Sequence, residues 1–200
     1  MRIDADAVKA ASARLDASMR GAASCESMDT LRGIEGDAAA EYFGVFDELV
    51  LRDKEAFRFV GRVRRPPTDP MNAMLSLFYT VLAFDCASAL EGVGLDPYVG
   101  FMHVDRPGRR SLALDLMEEL RPVLVDRFVL SAVNNRVAKP EQFERREPGE
   151  VRLSDEPARV VWGVAGAEKG DDHPPVPERE DPPRARSPCA GAVARALHPR

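Results

Sequence analysis

Cysteine, histidine and aromatic residues are scarce in this chain. Its 200 residues include three cysteines, three histidines and one tryptophan, and aromatic residues make up 6% of the total. The cysteines are odd in number, far apart and without metal-ligand spacing, which argues against a disulfide framework or a zinc site. No glycine-rich phosphate loop, dinucleotide fingerprint or Ser-His-Asp signature is present, so the enzyme classes that carry those motifs are excluded.

The chain also lacks the patterns of membrane insertion and export. We find no apolar run of the roughly 18 residues expected of a membrane span, and the first residues lack the basic-then-apolar order of a secretory signal. We therefore expect a cytoplasmic protein with no membrane partner. The net charge of −5 argues mildly against a nucleic-acid binder. Arginine clusters at 58–65 and 106–110 could confine positive potential to one surface, or could be ordinary solvated loops.

Proline is concentrated at the end of the chain. Residues 163–200 hold 7 of the 16 prolines and few large aliphatic residues, too few to offset the entropy of ordering them. Before them, apolar residues recur mostly at helical spacing. The sequence therefore predicts a mainly α-helical domain over 1–162 and a disordered tail over 163–200.

Caps and breaks in the sequence predict where the helices begin and end. The expected elements are helices from Ala5 to about Met19, from Asp29 or Thr30 to about Leu51, from the Asp69-Pro70 cap to Gly92, and from a Ser111 cap to about Asn134, broken or kinked at Pro122, followed by a hairpin over 143–153. In the second helix, Gly33 and Gly36 each cost roughly 1 kcal/mol relative to alanine. We therefore expect another group to approach the backbone there, beside Glu35.

His103 ends an apolar stretch and precedes an arginine-rich turn. Within that turn, Pro107 fixes φ and Gly108 permits a positive φ, so the chain can reverse and bring His103 near the following helix. A histidine in this position is either a hydrogen-bonded core residue or a metal ligand or acid-base group. The spacing alone leaves these alternatives open.

Three carboxylates lie on the helix that follows. Asp115 shares a helix face with Glu118 or with Glu119, and two such carboxylates repel each other unless a cation lies near them. Oxygen ligands, with a neutral imidazole, suit Mg²⁺ or Mn²⁺. The same spacing also fits the exposed face of an amphipathic helix.

Four blocks of sequence resemble, in order, the catalytic domain of the CRISPR-associated integrase, the endonuclease that inserts new spacers. They are residues 31–36 (LRGIEG), 69–76 (DPMNAMLS), 94–103 (GLDPYVGFMH) and 105–122 (DRPGRRSLALDLMEELRP). The resemblance covers about residues 5–160. It implies a largely helical fold with a metal site near its centre.

The resemblance also implies roles for individual residues. Glu35, His103 and Glu118 match the family's metal ligands for Mg²⁺ or Mn²⁺, and Asp115 matches a further acidic active-site residue. The choice of Glu118 over Glu119 comes from the resemblance. His103 or Asp115 would assist proton transfer, and Arg106, Arg109 and Arg110 would contact DNA phosphates.

The family joins the 3′ hydroxyl of a short captured duplex to a phosphodiester at the edge of a CRISPR repeat. Its members work as homodimers bridged by a small ferredoxin-like adaptation protein. From the resemblance we expect that this sequence begins almost at the helical domain and lacks the family's N-terminal β domain, and that its tail results from a frameshift. Two alternatives follow: a non-catalytic helical remnant that binds DNA or a partner protein, and a helical metallohydrolase acting on small phosphate compounds.

Overall fold

The computed structural model describes residues 4–104 and 106–154, and this part of the chain is rich in helix. The predicted disordered tail, the domain boundary at 162 and Asp105 lie outside the described residues. The elements in order are α1 (Ala5–Ala23), α2 (Met28–Gly44), a 3₁₀ turn (Phe46–Leu49), α3 (Pro70–Gly92), α4 (Ser111–Leu120), a π-helical segment (Arg121–Asp126), α5 (Arg127–Asn134), a second 3₁₀ turn (Pro140–Gln142), β1 (Phe143–Arg146) and β2 (Glu150–Leu153).

Helix α3 lies at the centre of the core. It begins as the sequence predicts, because the Asp69 carboxylate accepts a hydrogen bond from the backbone N–H of Asn72 at 2.8 Å and Pro70 occupies the first turn. More than half of its residues are buried, on several sides of the helix. It packs against α4, α5, the π-helical segment and β2. These four elements, which also carry polar residues, are thereby held around one apolar helix.

By length and composition alone, α3 is apolar enough to cross a membrane. Its most apolar window has a mean hydropathy of 1.6, and 56% of that window is buried inside the fold. The expectation that no run reaches this length was therefore wrong for α3. Helix α3 is buried against four other elements, so its apolar composition is that of a core helix.

Helices α1 and α2 pack against each other, with bounds that differ from the predicted ones. Helix α1 continues through Gly21 to Ala23, and α2 is capped by Ser27, whose hydroxyl accepts from the Thr30 N–H at 3.5 Å. Helix α2 ends at Gly44 because the chain tightens into the 3₁₀ turn there. No atom lies within 4 Å of a Cβ built at Gly33 or Gly36, so the predicted close approach was wrong.

The chain between α3 and the C-terminal hairpin also differs in detail from the prediction. Ser111 does not cap α4; it is the first helical residue, buried, and its hydroxyl donates to the Val104 carbonyl at 3.4 Å. Pro122, which has no N–H to donate, lies inside the π-helical segment that joins α4 to α5. The predicted hairpin is confirmed, with Phe143 opposite Leu153.

Candidate active site

The Asp115 carboxylate is the most heavily hydrogen-bonded group near the predicted site. It is 9% exposed on α4. Its Oδ2 accepts from the backbone N–H of Phe101 (2.7 Å) and of Met102 (3.1 Å), while Oδ1 accepts from the backbone N–H of His103 at 3.0 Å and lies 2.6 Å from its Nδ1. The expected return of His103 to the following helix is therefore confirmed, with Asp115 as its contact.

These contacts lower the pKa of Asp115 and orient the His103 ring. Burial alone would raise the pKa of Asp115, but the hydrogen bonds from the His103 ring and from the backbone of Phe101, His103 and Met102 outweigh it and lower that pKa. An ionised carboxylate only accepts hydrogen bonds, so Nδ1 of His103 carries the proton. In the neutral ring the lone pair is then on Nε2, which can bind a metal or accept a proton.

Gly100 allows the loop to approach α4 this closely. A Cβ at this position would lie 2.7 Å from the Cβ of Ser111 and 2.8 Å from Oδ2 of Asp115. Both distances are shorter than a van der Waals contact permits. The glycine therefore lets residues 101–103 close over the Asp115 carboxylate.

Glu118, one turn after Asp115, has a different environment. Its Oε1 accepts a hydrogen bond from Nη1 of Arg121 at 2.6 Å. Burial raises the pKa of Glu118, and repulsion from Glu35 raises it further, against the lowering effects of Arg121, His103 and Arg64. Glu119 is exposed. Glu118 lines the pocket beside His103 and Glu119 does not, but the choice of Glu118 as metal ligand stays a prediction.

The predicted metal ligands are only partly brought together. His103 and Glu118 line one pocket, and Glu35, exposed on α2, is near enough to Glu118 to affect its pKa. Within residues 4–104 and 106–154, no three His, Cys, Asp or Glu side chains form a group that could hold a metal ion. An imidazole nitrogen and two mutually repelling carboxylates nevertheless suit Mg²⁺ or Mn²⁺ by donor type. The metal site stays a prediction.

The pocket beside His103 is strongly basic. It has a volume of about 340 Å³ and is lined by six arginines, Arg62, Arg64, Arg65, Arg109, Arg110 and Arg121. Two of the three arginines predicted to contact DNA, Arg109 and Arg110, therefore face it. Arg106, the third, is exposed outside the lining. Three arginines of the 58–65 cluster and two of the 106–110 cluster therefore line the same pocket.

A buried polar group behind the pocket was missed by sequence reasoning. Asp126 is 2% exposed and accepts hydrogen bonds from the hydroxyls of Tyr42, at 2.9 Å, and Tyr79. Burial and then the Asp126 charge raise the pKa of both tyrosines, and burial raises that of Asp126. The guanidinium carbons of Arg62 and Arg121 lie 5.2 and 4.8 Å from the Tyr79 ring centre. No sequence signal links these distant positions.

Residues 1–163 match the family model described as CRISPR associated protein Cas1. This match covers more than half of the chain. The chain belongs to the Cas1 family. Membership confirms the resemblance drawn from the four sequence blocks, and the Cas1 match extends over every residue predicted to lie in the site.

Curated Cas1 relatives match the chain at substantial identity. A protein of Rhodospirillum rubrum named CRISPR-associated endonuclease Cas1 2 is 59% identical over 139 residues, covering 70% of this chain and 40% of its own length. CRISPR-associated endonuclease Cas1 1 of Chlorobaculum tepidum is 42% identical over 180 residues, covering 89% and 52%. The chain thus spans about half, or less, of the length of these Cas1 relatives.

Solved structures show the same fold. A CAS1 protein from Thermotoga maritima aligns with a TM-score of 0.74 at 28% identity, covering 92% of this chain and 54% of that one. A casposase bound to integration product aligns at 0.62 and 33% identity, covering 69% and 39%. A partial Cas6-RT-Cas1–Cas2 complex aligns at 0.64 and 33%, covering 71% and 43%. The helical fold described above is therefore the fold of Cas1 proteins.

Proposed function

We propose that this chain carries the catalytic part of a metal-dependent DNA endonuclease and integrase of CRISPR adaptation. The observation that carries the proposal is the pocket in which six arginines surround His103 and Glu118, with His103 oriented by Asp115. Arginine forks match phosphate oxygens, and an oriented histidine can act on a reacting oxygen. The names of the curated relatives, which are CRISPR-associated endonucleases, support the same chemistry.

The proposed reaction is a transesterification. The oxygen of a 3′ hydroxyl on a short DNA duplex attacks a phosphorus atom at the edge of a CRISPR repeat, and the bond from that phosphorus to its 3′ oxygen breaks. One phosphodiester forms and one is lost, so the reaction requires no nucleotide energy source. Strand cleavage is the same displacement with water as the nucleophile. The integration product named for the casposase neighbour supports this chemistry.

The described side chains suit distinct roles in this reaction. Mg²⁺ or Mn²⁺, held by Glu35, His103 and Glu118, would supply Lewis-acid polarisation of the scissile phosphate. Asp115 keeps the His103 ring in one tautomer and presents Nε2. Because Asp115 is buried, ionised and saturated with hydrogen-bond donors, we assign it to positioning and not to proton transfer.

The basic surface suits DNA binding by its backbone. Arg109 and Arg110 face the pocket and would contact phosphates, with Arg106 at the exposed turn. Such contacts are salt-dependent and carry no base specificity by themselves. The Cas1–Cas2 complexes among the structural neighbours support a partner protein of CRISPR adaptation. From the family resemblance, we propose a homodimer that joins a small ferredoxin-like adaptation protein in the cytoplasm.

A neighbouring pair of glutamates provides the sharpest test of this function. With branched DNA and Mn²⁺, the chain should cleave a strand or join a 3′ end, and Glu118→Gln should reduce the rate about 100-fold or more. Glu119→Gln, one residue away and exposed, should leave the rate unchanged. Equal activity of the two variants would contradict the assignment of Glu118. Salt-sensitive DNA binding by a parent chain that never cuts would instead support the non-catalytic alternative.

A further inference from the structure

Arg32 connects the two parts of the chain that carry Glu35 and His103. Its Nε and Nη2 both donate to the carbonyl oxygen of Met102, at 3.1 and 2.9 Å. Its Nη1 donates to Asp29 at 3.0 Å, on its own helix. Arg32 lies one helical turn before Glu35 on α2, and Met102 directly precedes His103. The guanidinium therefore spans the gap between two predicted site residues that are 68 positions apart in sequence.

Met102 is held from both directions. Its N–H donates to Oδ2 of Asp115 on α4, at 3.1 Å, while its carbonyl accepts the two bonds from Arg32 on α2. The peptide groups on either side of Met102 are thus fixed to two helices at once. Any displacement of α2 relative to α4 would have to break one of these contacts.

Helix α2 needs such a connection near Glu35. The helix has no buried residue, and Gly33 and Gly36 lie on either side of Glu35 with open space beside them. Glycine weakens a helix by roughly 1 kcal/mol relative to alanine, so the two glycines weaken the turn that carries Glu35. The hydrogen bond from Tyr42 to Asp126 lies two turns further on. Arg32 acts within one turn of Glu35.

We propose that Arg32 is a positioning residue that holds Glu35 at a fixed separation from His103 through the Met102 carbonyl. The importance of that separation rests on the function proposed above, but the restraint that Arg32 places on α2 and the 101–103 loop does not. Only arginine can direct two N–H groups of a planar fork at one oxygen from this position, whereas lysine has a single ammonium. Charge alone is therefore not the property that matters.

The separation between α2 and the 101–103 loop can be measured without metal or DNA. Nitroxide labels at Asp37→Cys on α2 and Phe101→Cys on the loop, both exposed positions, report the separation by pulsed electron resonance once Cys25 and Cys189 are replaced by serine. Buried Cys86 is left in place. The parent should give one narrow distance distribution. Arg32→Gln should broaden it markedly, and Arg32→Lys should give an intermediate width.

Arg14→Gln is the matched control, because it removes the 2.6 Å ion pair between Arg14 and Glu41 that joins α1 to α2, away from the loop. This variant should keep the parent distribution. A distribution in Arg32→Gln as narrow as that of the parent would overturn the proposal, whether or not the chain binds a metal.

Mn²⁺ titration, followed by the signal of the free ion, gives a second and separable readout. Arg32→Gln should weaken Mn²⁺ binding about 10-fold or more, as loss of a supporting contact around a metal site does, and Arg32→Lys should recover part of it. Equal affinity of parent and Arg32→Gln would overturn the positioning role. A parent chain that binds no Mn²⁺ would count against the proposed function instead. The distance measurement would still show whether Arg32 restrains α2 relative to the loop.

Discussion

Asp115 and Glu118 lie one turn apart on α4, yet their surroundings differ in almost every respect. Asp115 accepts four hydrogen bonds from the His103 loop, and its pKa is lowered against the effect of burial. Glu118 has one close partner, Arg121, and burial with repulsion from Glu35 raises its pKa. Environments that move two carboxylates in opposite directions divide their roles.

The two carboxylates differ in the kind of group that holds them. The bonds to Asp115 come mainly from backbone groups, which cannot move without moving the loop. The bond to Glu118 comes from the side chain of Arg121, which also packs over the Tyr79 ring. This comparison supports the proposal that Asp115 positions the site and that Glu118 takes part in its chemistry.

Removal of the fixed carboxylate should have the largest effect on stability. Asp115→Ala leaves the N–H groups of residues 101–103 and the His103 ring without their acceptor, which should lower the free energy of unfolding by about 3 kcal/mol. Urea unfolding, followed by circular dichroism, measures the loss. Glu119→Ala on the exposed face should change it by no more than about 0.5 kcal/mol. A similarly small change in the free energy of unfolding for both variants would contradict the structural role assigned to Asp115.

Crowding the loop around Asp115 should have the next largest effect. Gly100→Ala places a methyl group 2.7 Å from the Ser111 Cβ and 2.8 Å from Asp115. The loop must move away from α4, and we expect a loss of about 2 kcal/mol in the same unfolding experiment. The hydrogen exchange of the 101–103 amides should rise together with it. Full stability with unchanged exchange would mean that the loop does not depend on this close approach.

Acidification should affect the two carboxylates in opposite directions. The lowered pKa of Asp115 contributes stability above the unfolded-state value of about 3.9, which is lost as the pH falls through the folded-state value. The stability difference between parent and Asp115→Asn should therefore shrink at low pH. For Glu118, whose pKa is raised, the parent should gain relative to Glu118→Gln as the pH falls from neutral towards about 4.3. Parallel trends in the two series would contradict the comparison.

The smallest effect is expected on the open side of the site. Nothing lies within 4 Å of a Cβ at Gly36, so Gly36→Ala should stabilise α2 by about 0.5 kcal/mol. Thermal unfolding at matched conditions measures the gain. A loss of stability would show that this face is covered in solution.

Local signals in the sequence were enough to predict much of the fold. The Asp69-Pro70 cap and the hairpin around Pro148-Gly149 were both located correctly, because their residues act on their own backbone. The cap at Ser111 was wrong for the opposite reason. Its hydroxyl donates to the Val104 carbonyl, a contact of the folded loop that no local rule contains.

The site was predictable only where residues close in sequence form it. The turn after His103 correctly implied its contact with the next helix, since the two are joined by a short reversal. The bonds from Arg32 to the Met102 carbonyl and from Tyr42 to Asp126 join positions 70 and 84 residues apart. A backbone acceptor has no sequence signature, and a buried carboxylate is not distinguishable from a solvated one before the helices pack.

The carboxylates around the pocket also affect how strongly the binding of a polyanion there would depend on salt concentration. Glu118 is paired with Arg121, and the buried Asp126 lies near Arg62 and Arg121, so these two guanidinium groups already have protein counter-charges. Arg64 is likewise near enough to Glu118 to lower its pKa, which leaves three pocket arginines without such a carboxylate among the described residues, namely Arg65, Arg109 and Arg110. When these three arginines neutralise phosphates of a bound polyanion, the cations condensed on those phosphates are released. The logarithmic dependence of affinity on ionic strength should therefore reflect about three released cations and not six.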